Sequence, residues 1–272
     1  MLAAGMGERL RPLTLEKPKP LLLVGGRPLI HYALMMLRQA GVTEVVINLH
    51  YMGEAIRAAL GDGTAFGIKI TYAPEPKLLN TGGPLVALKD FFAGETFWVV
   101  NSDSILDFDL RAMVDFHRRN RALATLALTE EPANRRYSRI EVDRQGRVRR
   151  IHLLTREAVL AESREFRCED VSAQPGTESD ARAGNGEARE ELLPRMFCGL
   201  SLCESGLIRY APQREAFGLV SHLLAPLVAR GEAIYGYTFN GFFRTVDDLE
   251  SYEALKEEFA YDPPQLSYLK QD

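Results

Sequence analysis

Hydrophobic and polar positions in the first hundred residues change repeatedly between the period of a strand and that of a helix. The Val/Ile-rich run over 44–49 is typical of a buried strand, and the amphipathic segment over 53–60 stops at Gly61 as a helix would. Further elements are predicted here: the end of a strand at 2–4, helices over 28–39 and 82–91, and strands over 68–72 and 96–100. Strands that alternate with helices favour a mostly parallel sheet. We therefore expect an α/β fold, Rossmann-like, with a mixed, mostly parallel sheet flanked by helices.

The second half of the chain has a different pattern. A strand is predicted over 123–129, a hairpin over 138–142 and 148–153, another strand over 196–202, and helices over 219–229 and 249–259. Residues 162–191 are polar, charged and poor in large apolar side chains, which predicts a mobile insertion, either a solvated loop or a lid. We expect one domain over 1–272, with halves at 1–110 and 111–246 and a C-terminal helix and tail at 247–272.

Composition narrows the classes of partner. The 272 residues include 33 basic and 37 acidic side chains, for a net charge of −4, which argues against nucleic-acid binding. The cysteines at 168, 198 and 203 show no metal-binding spacing, and their odd number suits a reducing cytoplasm. Cys198 and Cys203 lie in an apolar run and are expected in the core. No signal peptide or membrane-spanning run is visible, so we expect a cytoplasmic protein without a membrane partner; a homo-oligomer stays open.

The N-terminal segment carries the strongest chemical signal. Gly5 and Gly7 follow an apolar run and precede Arg9, Arg11, Lys17 and Lys19. A glycine turn lets backbone N–H groups close around an anion, and Pro12, Pro18 and Pro20 stiffen the loop that presents the cations. The segment is neither a dinucleotide fingerprint, because Leu10 replaces its third glycine, nor a P-loop, whose spacing is absent. It predicts a site for a triphosphate.

The run Leu-Ala-Ala-Gly-x-Gly-x-Arg-Leu-x-Pro-Leu-Thr at 2–14, followed by Pro-Lys-Pro-Leu at 18–21, resembles the signature of sugar-1-phosphate nucleotidyltransferases, or NDP-sugar pyrophosphorylases. The likeness is greatest to short members related to mannose-1-phosphate guanylyltransferase and N-acetylmuramate-1-phosphate uridylyltransferase. It continues through Asn80–Gly83, Asn101–Asp103 and 197–199. The resemblance implies the nucleotide-diphospho-sugar transferase fold, with a nucleotide-binding first half and a sugar-binding second half. It also implies Mg²⁺ as cofactor, and an NTP (UTP or GTP) and a sugar 1-phosphate as substrates.

The resemblance also implies roles for individual residues. Arg9 would clamp the leaving phosphates, Lys19 would contact the reacting phosphates, and Asp103 would hold Mg²⁺. Asp103 also ends a strand at the edge where ligands bind in open α/β sheets. Gly199 and Asn101 would lie near the sugar. Nucleotide contacts are expected from Leu2, Ala3, Ala4, Gly5, Gly7, Thr81 and Gly82, and from Glu75 as an acceptor for the base.

Two departures from the family pattern bear on these roles. Thr245 stands where relatives carry a second metal-binding aspartate, so Asp247 is predicted either to replace that ligand or to cap the last helix. His152-Leu153-Leu154 takes the approximate place of a Glu-Lys-Pro segment that relatives use for sugar and phosphate. Asp107 and Asp109 are expected in a loop and at a helix N-cap. The first strand has few residues before the glycine loop, so we expect it to be clipped and weakly anchored.

Three alternatives remain at this point. A cytidylyltransferase acting on phosphocholine or another non-sugar phosphate would need an aromatic cage, for which Tyr237, Phe242 and Phe243 are ambiguous candidates. A nucleotide-binding pseudoenzyme is suggested by Thr245. A redox Rossmann protein is disfavoured by the broken glycine pattern.

Overall fold

The computed structural model describes residues 1–92, 94–131, 137–154, 169–170 and 191–269. The predicted insertion at 162–191 lies outside the described residues except at 169–170 and 191, and Cys168 lies outside them as well. The strands are β1 (Leu23–Val24), β2 (Arg27–Pro28), β3 (Glu44–Leu49), β4 (Lys69–Pro74), β5 (Thr96–Val100), β6 (Ser104–Asp107), β7 (Ala124–Glu130), β8 (Arg139–Val142), β9 (Val148–Leu153), β10 (Glu169–Asp170), β11 (Leu193–Glu204), β12 (Ile234–Thr238) and β13 (Phe242–Thr245).

The α-helices are interspersed with these strands along the chain. They are α1 (Leu13–Glu16), α2 (Leu29–Gln39), α3 (Gly53–Leu60), α4 (Gly83–Ala87), α5 (Lys89–Phe92), α6 (Leu110–Arg119), α7 (Ala225–Ala229) and α8 (Leu249–Tyr261), with a π-helical turn at Val220–Leu224. None of the helices in the described ranges is long and apolar enough to cross a bilayer.

A mixed, mostly parallel sheet forms the centre of the protein. Its order is β4, β3, the segment 1–3, β5, β11, β7 and β12, and β11 alone among these runs against the others. The hairpin of β8 and β9 pairs with the first part of β11. This arrangement agrees with the predicted fold class, and it brings the carboxyl ends of the parallel strands to one edge.

Most predicted elements lie within two residues of the observed ones, and the differences have local causes. The helix expected over 82–91 begins one residue later, because Gly82 is its N-cap residue, and it divides into α4 and α5. The helix expected over 219–229 starts as a π-helical turn. Pro226 lacks the N–H that an α-helix needs there, and its ring crowds the preceding turn.

The segment 1–3 is held on both sides, so the expectation of weak anchoring is wrong. The Leu2 amide donates to Val100 (2.8 Å), and the Asn48 amide donates to Met1 (3.3 Å). These hydrogen bonds join the segment to β5 on one side and to β3 on the other.

The buried apolar side chains of the described residues form two clusters. Cys198 and Cys203 are buried in them as predicted. Burial raises the pKa of the Cys203 thiol to about 12, and burial likewise raises the pKa of Cys198. Both thiols therefore stay protonated at neutral pH and pack as apolar groups.

Candidate active site

A cavity of about 240 Å³ opens at the carboxyl edge of the parallel strands. Its walls come from the glycine loop, the segment after β5 and the loop before α4. Nine residues predicted from the sequence line it: Leu2, Ala3, Ala4, Gly5, Gly7, Lys19, Thr81, Asn101 and Asp103. Gly82, Gly199, Glu75, Arg9 and Asp247 lie outside this lining.

The glycine loop contains positions where a side chain is disfavoured or where the backbone faces open space. Gly7 has φ +62°, and a Cβ there would lie 2.9 Å from Cγ2 of Thr14. The hydroxyl of Thr14 donates to the Gly7 carbonyl (2.8 Å), which fixes the turn. A Cβ at Gly5 would meet no atom within 4 Å, so the backbone there faces open space.

An ion pair joins the two charged residues of the cavity. The ammonium Nζ of Lys19 donates to Oδ2 of Asp103 at 2.5 Å, and the two side chains are 13% and 24% exposed. Pro18 and Pro20 are buried on either side of Lys19, so its backbone is held by packing. A half-buried cation beside a carboxylate provides both signs of charge for a phosphate and its counter-ion.

Arg9 lies apart from this pair. Its side chain is 70% exposed, and its guanidinium contacts Oδ1 of Asp247 at 3.3 Å. The Tyr137 hydroxyl donates to Oδ2 of the same carboxylate (2.8 Å), and burial, followed by the charge of Asp247, raises the pKa of that hydroxyl. Asp247 therefore holds Arg9 in place in this structure.

Thr245, the last residue of β13, is linked to Asp103 through Ser104. The Thr245 hydroxyl accepts from Ser104 Oγ (3.3 Å), and Ser104 Oγ also lies 3.4 Å from Oδ1 of Asp103. The helix cap at α8 is Asp248, whose carboxylate accepts from the Ser251 amide (2.9 Å), so the alternative that Asp247 caps this helix is wrong. In the ranges that the structure describes, no three acidic, histidine or cysteine side chains cluster as metal ligands.

The loop before α4 is joined to the second half of the chain. The Leu219 amide donates to Oγ1 of Thr81 (2.8 Å), and the Phe217 amide donates to the Leu79 carbonyl (3.2 Å). Gly82 packs against Phe217 itself. Thr81 and Gly82 thus fix the wall of the cavity, and Thr81 also lines it.

Replacement of Gly82 by alanine is expected to destabilise the protein by about 1–3 kcal/mol. The backbone there is right-handed, but the added Cβ would lie 2.3 Å from a Phe217 ring carbon, so the ring must move. Thermal unfolding measures the loss. Gly206→Ala is the matched control, since a Cβ at Gly206 meets no atom within 4 Å, and equal melting temperatures for the two variants would contradict the steric argument.

Gly199 supports Asn101. It has φ +77°, its carbonyl accepts from the Asn101 amide (2.8 Å), and a Cβ on it would lie 2.7 Å from Nδ2 of Asn101. The glycine therefore leaves room for a side chain that lines the cavity.

Asp109 caps α6 as predicted, accepting from the Arg111 amide at 2.9 Å. Asp107 accepts from the amide and hydroxyl of Ser267, each at 2.6 Å.

The sequence model of the nucleotidyl transferase family, described as "Nucleotidyl transferase", matches residues 1–152. The chain belongs to this family. It is 50% identical over 113 residues to the N-acetylmuramate alpha-1-phosphate uridylyltransferase of Neisseria meningitidis serogroup B, covering 41% of this chain and 49% of that protein. It is 36% identical over 148 residues to the mannose-1-phosphate guanylyltransferase of Mycobacterium tuberculosis, covering 54% of this chain and 41% of that protein. The chain thus spans about half the length, or less, of these curated relatives.

Solved structures agree on the fold of this nucleotidyl transferase. A putative glucose-1-phosphate thymidylyltransferase from Bacillus anthracis superposes with a TM-score of 0.71 at 19% identity, covering 94% of this chain and 92% of that one. HddC from Yersinia pseudotuberculosis gives a TM-score of 0.69 at 18% identity, covering 95% and 97%. Both likenesses confirm the nucleotide-diphospho-sugar transferase fold.

Two residues at the candidate site, Asn48 and Tyr137, were not predicted from the sequence. Asn48 lines the cavity and is a buried polar side chain in the apolar strand β3, a signal that the sequence does contain. Tyr137 had no such signal, because its contact with Asp247 joins distant parts of the chain. His152 lies 3.3 Å from Glu141 within the β8–β9 hairpin.

A second, larger cavity of about 510 Å³ lies between β3 and β5, towards their amino-terminal ends. Among the described residues that line it, none is basic. It therefore suits anionic substrates less well than the smaller cavity, which contains Lys19.

Proposed function

We propose that this protein condenses a nucleoside triphosphate with a sugar 1-phosphate, giving an NDP-sugar and pyrophosphate. The observation that carries the proposal is the Lys19–Asp103 pair, which shares one cavity with the glycine loop. Membership of the nucleotidyl transferase family supports it independently.

The reaction brings two anions together, so the protein must position them and offset their charge. An oxygen of the sugar phosphate forms a bond to the α-phosphorus, and the bond from the α-phosphorus to the bridging oxygen breaks. Pyrophosphate leaves with the electron pair. In this proposal the amides of the glycine loop and the Lys19 ammonium hold the phosphates, while Arg9 leaves Asp247 to bind the departing pyrophosphate.

The residues fit a magnesium ion of the kind that phosphate substrates bring with them. Mg²⁺ is usually bound by one or two carboxylates together with substrate phosphates, and Asp103 offers one carboxylate in the cavity. When bound, the ion would supply positive charge to the phosphate oxygens. Asp247 is the second proposed ligand; its two oxygens contact Arg9 and Tyr137, so it would have to exchange those partners first.

The names of the relatives set the order in which substrates are tested. UTP with N-acetylmuramate α-1-phosphate comes first, and GTP with mannose 1-phosphate comes second. The remaining NTPs and sugar 1-phosphates complete the panel, with phosphocholine and CTP as the test of the non-sugar alternative.

Pyrophosphate release, measured by a pyrophosphatase-coupled phosphate assay, tests the proposal. We expect release with one NTP and one sugar 1-phosphate and a matching NDP-sugar mass. Because the coupling enzyme itself needs Mg²⁺, the NDP-sugar is measured directly by mass when EDTA removes Mg²⁺, and we expect it to be lost. Omission of the sugar phosphate is the control for NTP hydrolysis. If no pair releases pyrophosphate while an NTP raises the melting temperature, the protein binds nucleotide without catalysis and the proposal fails.

A further inference from the structure

Two buried polar side chains connect the loops on opposite sides of the cavity. The Ala3 amide donates to Oδ1 of Asn48 (2.9 Å), and Nδ2 of Asn48 donates to Oε1 of Glu75 (2.8 Å). The Leu79 amide donates to Oε2 of Glu75 (2.9 Å). A continuous hydrogen-bonded chain therefore runs from the glycine loop to the loop before α4. We call Asn48 and Glu75 the buried brace.

Both members of the buried brace are almost inaccessible to water. Asn48 is 3% exposed and Glu75 is 8% exposed. The hydrogen bonds to the Glu75 carboxylate come from an amide side chain and a backbone N–H, which are neutral donors. A buried carboxylate held by neutral donors is expensive compared with an apolar residue of similar size. The arrangement is therefore explained better by what it positions than by the stability that it adds.

The backbone at Glu75 is fixed as well. Its amide donates to the Leu49 carbonyl (2.7 Å), and its carbonyl lies 2.8 Å from Nδ1 of His50. The side chain thus reaches from a rigid strand end to Leu79, the neighbour of two cavity-lining residues, Leu78 and Asn80. At the other end, Ala3 lines the cavity itself.

We propose that Asn48 and Glu75 are positioning residues for the nucleotide, because together they hold the loops 3–7 and 78–82 at the separation that its nucleoside end requires. This inference rests on the proposed function. It gives Glu75 a bracing role in addition to the predicted contact with the base.

Reciprocal exchange of the two functional groups tests the brace. In Asn48→Asp one carboxylate oxygen still accepts from Ala3, but the other faces the carboxylate of Glu75. In Glu75→Gln the new side-chain NH₂ faces one of the two N–H donors that the carboxylate accepts from, Nδ2 of Asn48 or the Leu79 amide, so two donors oppose each other. The double variant Asn48→Asp/Glu75→Gln reverses the central hydrogen bond and keeps one carboxylate, so every group has a partner again.

We expect each single variant to raise KM for the NTP about tenfold or more, with kcat changed less than about threefold. The double variant should return KM to within about threefold of wild type. Calorimetric NTP binding should give the same order without turnover. The control is Thr125→Val, which removes the buried contact of Thr125, in β7, with His117 of α6 (2.8 Å). This variant should have a lower melting temperature and an unchanged KM.

Each result decides the inference. If the single variants lower only the melting temperature, as Thr125→Val does, the brace is merely structural and the inference is overturned. If the single variants do not fold, the double variant provides the test. A double variant that folds but has a raised KM for the NTP also overturns the inference. A wild-type protein that binds no NTP refutes the proposed function itself, whereas equal binding by wild type and single variants refutes the brace alone.

Discussion

Asp103→Asn is expected to lower kcat by about a thousandfold, the largest effect of any single substitution in the cavity. The change keeps the shape of the side chain but removes the charge that we propose to hold Mg²⁺ against the phosphates. It also removes the anionic partner of Lys19, with which Asp103 forms an ion pair at 2.5 Å. The steady-state rate of NDP-sugar formation at saturating substrates, measured directly and repeated over a Mg²⁺ titration, tests this.

Asp109→Asn is the matched control for this substitution. Asp109 caps α6 outside the cavity lining, and asparagine caps a helix as well as aspartate does. We expect kcat within about twofold of wild type for this variant. Comparable activity in Asp103→Asn and Asp109→Asn would show that Asp103 has no part in the reaction.

Arg9→Ala is expected to lower kcat/KM for the NTP by about a hundredfold or more. Its guanidinium is the cation that we propose to bind the departing pyrophosphate. Because the side chain is 70% exposed and has one long contact of 3.3 Å to Asp247, its loss should leave the melting temperature nearly unchanged. Initial rates over a range of NTP concentrations, with thermal unfolding alongside, separate the two effects.

Arg11→Ala provides the comparison, since it removes the same charge two residues away. Arg11 pairs with Glu8 at 3.6 Å on the surface, and its removal should change kcat/KM less than about threefold. Equal losses in the two variants would mean that the segment acts only through its summed charge.

The parts of the fold that depend on local pattern were predictable. The strands β3 and β5 begin and end at the predicted residues, because each is an apolar run bounded by polar residues. The cap at Asp248 was missed although its signal, an aspartate three residues before Ser251, is present in the chain. The hydrogen bond from Gly82 to Phe217 was not predictable, since it joins segments that are distant in the sequence.

The same distinction applies to the site. Lys19 and Asp103 line the same cavity at the carboxyl edge of the parallel strands. The sequence already predicts this position for Asp103, because ligands in open α/β sheets bind at that edge. The partners of Asp247 follow no such rule. Arg9, Tyr137 and Asp247 come from three distant segments, and only the folded chain brings their side chains together.

The part of the chain that matches the family model does not contain every residue that supports the candidate site. Residues 1–152 lack β11, which covers one edge of β5, and they lack Phe217 and Leu219, which hold the loop bearing Thr81. A ribosome that has released only this part has therefore made a polypeptide with an open strand edge and an unsupported loop. We therefore expect a polypeptide that ends near residue 152 to hold the cavity wall at Thr81 less firmly than the full chain does.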